Sequence, residues 1–314
     1  MSEKLKVRLE SKHTEADDIA SYRLVALSGA SLPSFTLGSH VDVFLPNGLT
    51  RSYSLVNMPG SDFYQITVLR NATGRGGSMA VHDLLQVGDE LFISQPRNNF
   101  SLLEDGSKAI FVAGGIGITP LYGMAKQLHA SGTEFALHYT ARSRSKMAFI
   151  EPLQACAFAQ LHLYFDDEAA MQLDAVLGAA DRQAHVYVCG PRGLIDAVLA
   201  KGKALGWSDD HLHFELFGNE VSNDNVQGFD IKIQSTGQII RVPEDRSVVQ
   251  VLAAQGISIA TSCEQGVCGT CMTHVIDGEP DHRDMYLTDD EKNSNKVFLP
   301  CCSRANSKML VLDL

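Results

Sequence analysis

The 314-residue chain has an ordinary globular composition, 45% hydrophobic and 20% charged, and is long enough for two or three domains with separate cores. A formal charge of −11, from 37 acidic against 26 basic residues, argues against nucleic acid or an anionic membrane surface as a partner. No apolar run could span a membrane, and seven cysteines, an odd count, fit a reducing cytoplasmic setting better than a disulfide framework.

The first hundred residues read as short strands broken by turns. Lys6-Val-Arg-Leu alternates, Tyr22-Arg-Leu-Val-Ala-Leu follows, and Gly29 and Pro33 interrupt the pattern. Then come His40-Val-Asp-Val-Phe-Leu, a turn at Pro46-Asn-Gly, Arg51-Ser-Tyr-Ser-Leu and Phe63-Tyr-Gln-Ile-Thr-Val-Leu. This spacing predicts a small antiparallel barrel, with one short helix from Gly77 to Leu85. Arg51-Ser52-Tyr53-Ser54 places a permanent cation, an aromatic face and two hydroxyls on one strand. Gly74-Arg75-Gly76-Gly77-Ser78 leads into the helix, so backbone amides and a hydroxyl converge as an anion site suited to phosphate. Alone, the first could be a solvated strand and the second a plain turn. Together in one barrel they support each other.

Near residue 104 the pattern changes. Ala109-Ile-Phe-Val-Ala is a continuous apolar strand, followed by Gly114-Gly-Ile-Gly-Ile-Thr-Pro120 and a helix through Leu128. Strands at 135–140, 161–165, 185–189 and 212–217 alternate with helices near 149–158 and 193–204. Buried strands alternating with helices predict a parallel α/β domain. Its glycine turn brings backbone close to a ligand at a strand's carboxyl end, although Pro120 replaces the last glycine of the dinucleotide fingerprint. Cys189-Gly190-Pro191 is a second strand-to-helix turn, which by itself reads more simply as packing.

Residues 219–227 are polar and aperiodic, as a linker would be. Beyond them, Asp230-Ile-Lys-Ile-Gln and Gln238-Ile-Ile-Arg-Val pair across Thr236-Gly237 as a hairpin, and Ser247-Val-Val-Gln250 is a capping box for a helix stopping at Gly256. Cys263, Cys268 and Cys271 follow as C-x4-C-x2-C, with Cys301 later, the spacing of a plant-type [2Fe–2S] site. A structural zinc site prefers two C-x2-C pairs and suits this spacing poorly. Hairpin, helix and cysteine loop predict a β-grasp ferredoxin domain. The expected divisions are 1–103, 104–225 and 226–314.

Taken together these motifs, with Phe214-Glu-Leu-Phe-Gly218, Glu279-Pro-Asp-His-Arg-Asp284 and Cys302-Ser-Arg-Ala, resemble the phthalate dioxygenase reductase family over nearly the full length. The resemblance implies a flavin-binding β-barrel, a ferredoxin reductase-like nucleotide domain and a C-terminal [2Fe–2S] ferredoxin, in a reductase that serves a Rieske-type oxygenase. It implies FMN rather than FAD, with Arg51, Ser52, Tyr53 and Ser54 holding the flavin and Arg51 near its phosphate. Thr67, Val68 and Leu69 would line the flavin edge with backbone groups, and Gly76, Gly77 and Ser78 would cradle the phosphate. Thr119 would lie near both rings, Phe217 would cover a ring face, and Gly115, Cys189, Gly190 and Pro191 would shape the nicotinamide site. Cys263, Cys268, Cys271 and Cys301 would hold the cluster.

Electron counting fits that order. A nicotinamide gives two electrons together as hydride, and a cluster takes one, so a flavin must stand between them. The loop containing Arg142 and Arg144 is basic and lacks an acid for a ribose 2′-hydroxyl, which leaves NADPH open beside the expected NADH. A stand-alone reductase of a quinone or ferric acceptor, or a redox sensor, are the rival functions. For the cysteine pair at the last ligand position, an extended chain would turn Cys302 away from the iron that Cys301 faces.

Overall fold

The computed structural model describes residues 4–27, 31–74, 76–217, 227–244, 246–261, 266, 269–284 and 286–314. Cys263, Cys268, Arg75 and most of the expected linker lie outside these. The chain divides into two compact units, Met1–Leu216 and Phe217–Leu314.

The first unit opens with strands β1 (Leu5–Ala16), β2 (Ile19–Ala26), β3 (Ser39–Phe44), β4 (Thr50–Ser54) and β5 (Phe63–Leu69). Helix α1 (Gly77–Leu84), β6 (Glu90–Ile93) and β7 (Arg97–Asn98) complete the segment. Their antiparallel sheet runs β4-β3-β6-β1-β2-β5, with β7 added on β3. It curls until its ends meet, where Leu55 bridges Ile66 and the Val56 amide donates to the Gln65 carbonyl at 2.8 Å. Alternation explains the curl: Val7, Leu9, Tyr22, Leu24, Val41, Val43, Tyr64 and Ile66 all point inward and are buried.

The parallel half follows as β8 (Ala109–Gly114), α2 (Ile118–Ser131), β9 (Phe135–Ala141), α3 (Ile150–Ala155), β10 (Leu161–Phe165), α4 (Leu173–Gly178), β11 (His185–Gly190), α5 (Arg192–Ala204) and β12 (Leu212–Leu216). The strand order β10-β9-β8-β11-β12 reverses direction at β8. In open sheets of this kind, ligands bind beside the carboxyl ends at such a switch point. The central strand β8 is buried at all six positions, which is why it reads as an unbroken apolar run. The two sheets are not independent. Leu37, Val56 and Phe100 pack in one hydrophobic cluster with Leu121, Met124 and Phe111.

The second unit holds β13 (Phe229–Ile233), β14 (Ile239–Val242), α6 (Val248–Ala254), β15 (Thr273–Asp277), β16 (Pro280–Asp281), α7 (Asp289–Ser294), β17 (Val297–Phe298), β18 (Arg304–Ala305) and β19 (Met309–Leu312). Its mixed sheet runs β14-β13-β19-β15-β17, with β13 and β19 parallel at the centre, as the β-grasp requires. The expected capping box is present: Ser247 Oγ accepts from the Gln250 amide, and Gln250 Oε1 accepts from the Ser247 amide. Val248, Val251 and Leu252 of α6 pack on Ile231, Val242 and Leu310. Among the described residues, no helix is long and apolar enough to cross a membrane.

Candidate functional site

Helix α1 starts at Gly76, whose φ of 77° lies in the left-handed region and which supplies no side-chain cap. The first-turn amides therefore have no intrahelical acceptor and carry the positive end of the helix dipole. The Arg51 side chain lies directly across Gly77: a Cβ there would stand 2.3 Å from Arg51 Nε. Two motifs separated in sequence thus meet as one anion cradle, and glycine is needed because any side chain would displace the guanidinium. Ser78 Oγ accepts from the Asn71 amide at 3.0 Å, so this hydroxyl closes the 71–78 loop.

The strand carrying Arg51 divides its side chains. Ser52 Oγ donates to Asp42 Oδ1 at 2.6 Å, and Asp42 is also held by Arg97 at 2.6 Å, so Ser52 is committed to the sheet. Tyr53 is half-buried against the barrel core, and burial pushes its phenol up to about 12, with Arg51 opposing. The Ser54 hydroxyl is buried and makes no hydrogen bond among the described residues. On β5, Thr67 Oγ1 pairs with Ser21 Oγ at 2.7 Å, the Val68 carbonyl meets His82 Nε2 at 2.9 Å, and Leu69 is exposed.

At the switch point the two glycine turns touch. A Cβ on Gly117 would fall 2.2 Å from the Cys189 carbonyl, and one on Gly114 would fall 2.7 Å from Pro191 Cδ. Gly190 packs against the Gly114 backbone, where a Cβ would meet its Cα at 2.9 Å. Gly115, at φ 53°, has open space where a side chain would stand. Thr119 is 2% exposed and donates to the Ile116 carbonyl at 3.0 Å, which fixes the start of α2.

Glu215 joins this cluster although sequence reasoning gave it no role. Strand pairing sets it beside Cys189. Burial pushes its carboxyl up to about 8, and the nearby Ser54 hydroxyl pulls it back only in part. Burial, then the Glu215 charge, pushes the Cys189 thiol up. Glu215 Oε2 is buried and, like the Ser54 hydroxyl, has no hydrogen-bond partner among the described residues. Ser54 and Glu215 come from different sheets and lie close enough for the hydroxyl to act on the carboxyl, yet short of a well-formed hydrogen bond. Beside a switch point, such a pair fits a bound polar ring edge. The available signal was one carboxylate within the strand Leu212-His-Phe-Glu-Leu216.

Arg142 and Arg144 follow β9. Arg144 sits over the Phe165 ring, 4.6 Å from its centroid. Just past the end of β10, Asp166 Oδ1 accepts from Thr140 Oγ1 at 2.9 Å, and the Asp167 amide donates to the Arg142 carbonyl. Phe217, exposed, directly follows β12.

In the second unit Cys271, Cys301 and Cys302 are buried in one cluster with Leu287 and Leu299. Contact with the Cys271 thiol, then with the Cys302 thiol, pushes the Cys301 thiol's pKa upward. Gly266 and Gly269 have φ of 77° and 70°, and a Cβ on either would strike the Cys302 sulfur or the Tyr286 ring. Converging thiols beside Gly266 and Gly269 fit a thiolate-held cluster, with Cys263 and Cys268 outside the described residues. The expected extended geometry at the last ligand position is not found. Residues 301–302 form a turn, because the Cys302 and Ser303 amides both return to the Leu299 carbonyl. The two sulfurs are therefore brought together rather than turned to opposite faces.

Comparison with known proteins agrees with this geometry. Residues 231–306 match the 2Fe-2S iron-sulfur cluster binding domain, and residues 111–200 match the oxidoreductase NAD-binding domain. Vanillate O-demethylase oxidoreductase of Pseudomonas sp. strain HR199 is 48% identical, over 99% of this chain and 100% of its own length. Tetrachlorobenzoquinone reductase of Sphingobium chlorophenolicum is 40% identical, over 95% and 94%. The structure of phthalate dioxygenase reductase, described as modular for electron transfer from pyridine nucleotides to [2Fe–2S], superposes with a TM-score of 0.84 at 38% identity, covering 99% of this chain and 98% of that one. A curled sheet, a parallel nucleotide domain and a cysteine-bearing β-grasp define an iron–sulfur oxidoreductase of modular type. The chain belongs to the phthalate dioxygenase reductase family, with the vanillate O-demethylase oxidoreductases among its relatives.

Proposed function

We propose that this protein is the reductase component of a Rieske-type oxygenase system, taking electrons from NADH through FMN to a [2Fe–2S] cluster and on to the oxygenase. The observation that carries the flavin step is the meeting of Arg51 with the start of α1 across Gly77. A guanidinium and unpaired helix amides together suit a terminal phosphate, which favours FMN over the longer FAD. When bound, the flavin accepts hydride and passes electrons on singly.

The chain's own groups do the positioning. Tyr53 offers an aromatic wall beside the cradle, and the resemblance gives Phe217 a ring face to cover. Ser54 and Glu215 supply a hydroxyl and a carboxyl that stays protonated near neutral pH, both able to donate to a ring edge. The Gly114–Gly117 and Cys189–Pro191 turns leave backbone, not side chains, beside the nicotinamide. Asp166 supports NADH, since a carboxylate pairs with a ribose 2′-hydroxyl and repels a 2′-phosphate. Cys263, Cys268, Cys271 and Cys301 hold the cluster. Thiolates of this kind suit a reducing cytoplasm. The domain divisions near 103 and 225 are retained as part of this reading.

The test is the purified protein with NADH. Two irons, two sulfides and one FMN per chain are expected, with NADH oxidation that depends on an added oxygenase or ferredoxin-type acceptor. A second reading, direct reduction of a quinone, draws on the quinone reductase relative. Equally fast turnover with quinone alone favours that reading and overturns the first.

A further inference from the structure

The 301–302 turn has a chemical result that the cysteine spacing does not announce. The Cys302 thiol is 8% exposed and shares one buried cluster with Cys271 and Cys301. Its sulfur lies beside Gly266, 2.4 Å from where a Cβ on that residue would stand. Its polar contacts there are the Leu299 carbonyl at 3.7 Å and Ser303 Oγ at 3.7 Å. The Cys301 thiol is its third neighbour, so the Cys302 sulfur already stands beside the expected ligand.

We propose that Cys302 is a reserve ligand of the iron–sulfur cluster, placed by the turn to bind the iron when Cys301 cannot. This rests on the reading of Cys301 as the fourth ligand. In a chain without the Cys301 thiol, Cys302 gives its proton to solvent and its sulfur forms the Fe–S bond that Cys301 would have formed. No electron is transferred in that exchange. A one-residue shift along a turn, rather than an extended strand, makes the replacement geometrically modest.

The test compares wild type, Cys302→Ala, Cys301→Ala and Cys301→Ala/Cys302→Ala by iron and sulfide content, visible absorbance and electron paramagnetic resonance. Flavin content is the folding control. Cys302→Ala is expected to keep the native content. Cys301→Ala should hold about fivefold more iron than the double variant, with a shifted resonance spectrum, because one thiolate has replaced another. Equal loss in Cys301→Ala and the double variant overturns the proposal. If Cys301→Ala loses flavin as well, Cys301→Ser is read against Cys301→Ser/Cys302→Ala, with the same two outcomes. A native spectrum in Cys301→Ala beside a bleached Cys302→Ala overturns the ligand assignment itself.

Discussion

The cysteine centre and the flavin–nucleotide site are built on opposite plans. Three of the four cysteines of the first lie within nine residues of sequence, and its described thiols bury together in one cluster. The second draws Arg51 and Gly77 to one point and Ser54, Cys189 and Glu215 to another, from two sheets that share a core. A locally built centre should fail all at once when a ligand with no neighbouring thiol in reserve is lost. A site assembled from distant groups should fail by degrees.

The sharpest contrast is Cys271→Ala. Cys271 is 2% exposed and meets Cys301, so no solvent ligand readily replaces it. Iron content is expected to fall by more than about tenfold, while flavin content and flavin reduction by NADH persist. Parallel loss of flavin would break the comparison. On the other side, Arg51→Ala should weaken flavin binding by about 1.5–3 kcal/mol, one to two decades, with the iron untouched. Gly77→Ala should reproduce much of that loss by displacing the guanidinium. Titration of apoprotein with FMN measures both.

Glu215 gives a pH test that the cysteine centre cannot. Its carboxyl releases its proton near 4.5 when unfolded and near 8 when folded. Between those values the folded state holds the extra proton, so stability falls as pH rises through the window. In Glu215→Gln this part of the fall should vanish, which melting curves from pH 5 to pH 8 would reveal. An unchanged slope would remove Glu215 from the buried cluster. The smallest effect is expected at the nucleotide end. Asp166→Ala should lower the NADH-to-NADPH ratio of kcat/KM by about fivefold, the loss of one exposed polar contact. Arg144→Glu should penalise NADPH alone if that loop reads the 2′-phosphate.

How much could be read in advance follows the same division. The strands Phe63–Leu69 and Leu161–Phe165 have the predicted bounds, because alternation and apolar runs are local signals. The cysteine spacing was equally legible. Strands β6, β7 and β15 to β19, and helices α4 and α7, were not: most are two to five residues long and owe their form to partners far along the chain. Glu215 and Asp166 escaped for a related reason, since each gains its meaning from a strand neighbour, Cys189 or Thr140. The 301–302 geometry was misjudged because the cysteine pair was taken as extended chain, whereas the Leu299 carbonyl gathers the next amides into a turn.

The cluster in which Leu37, Val56 and Phe100 meet Leu121 and Met124 bears on how the protein could be taken apart. A cut near residue 103 would strip apolar side chains from both fragments, each exposing a face that invites aggregation. A cut in the segment after Leu216 follows the division between the compact units instead. Anyone exchanging modules among such reductases would therefore carry the first 216 residues as one cassette, or else redesign the α2 face to suit its new barrel.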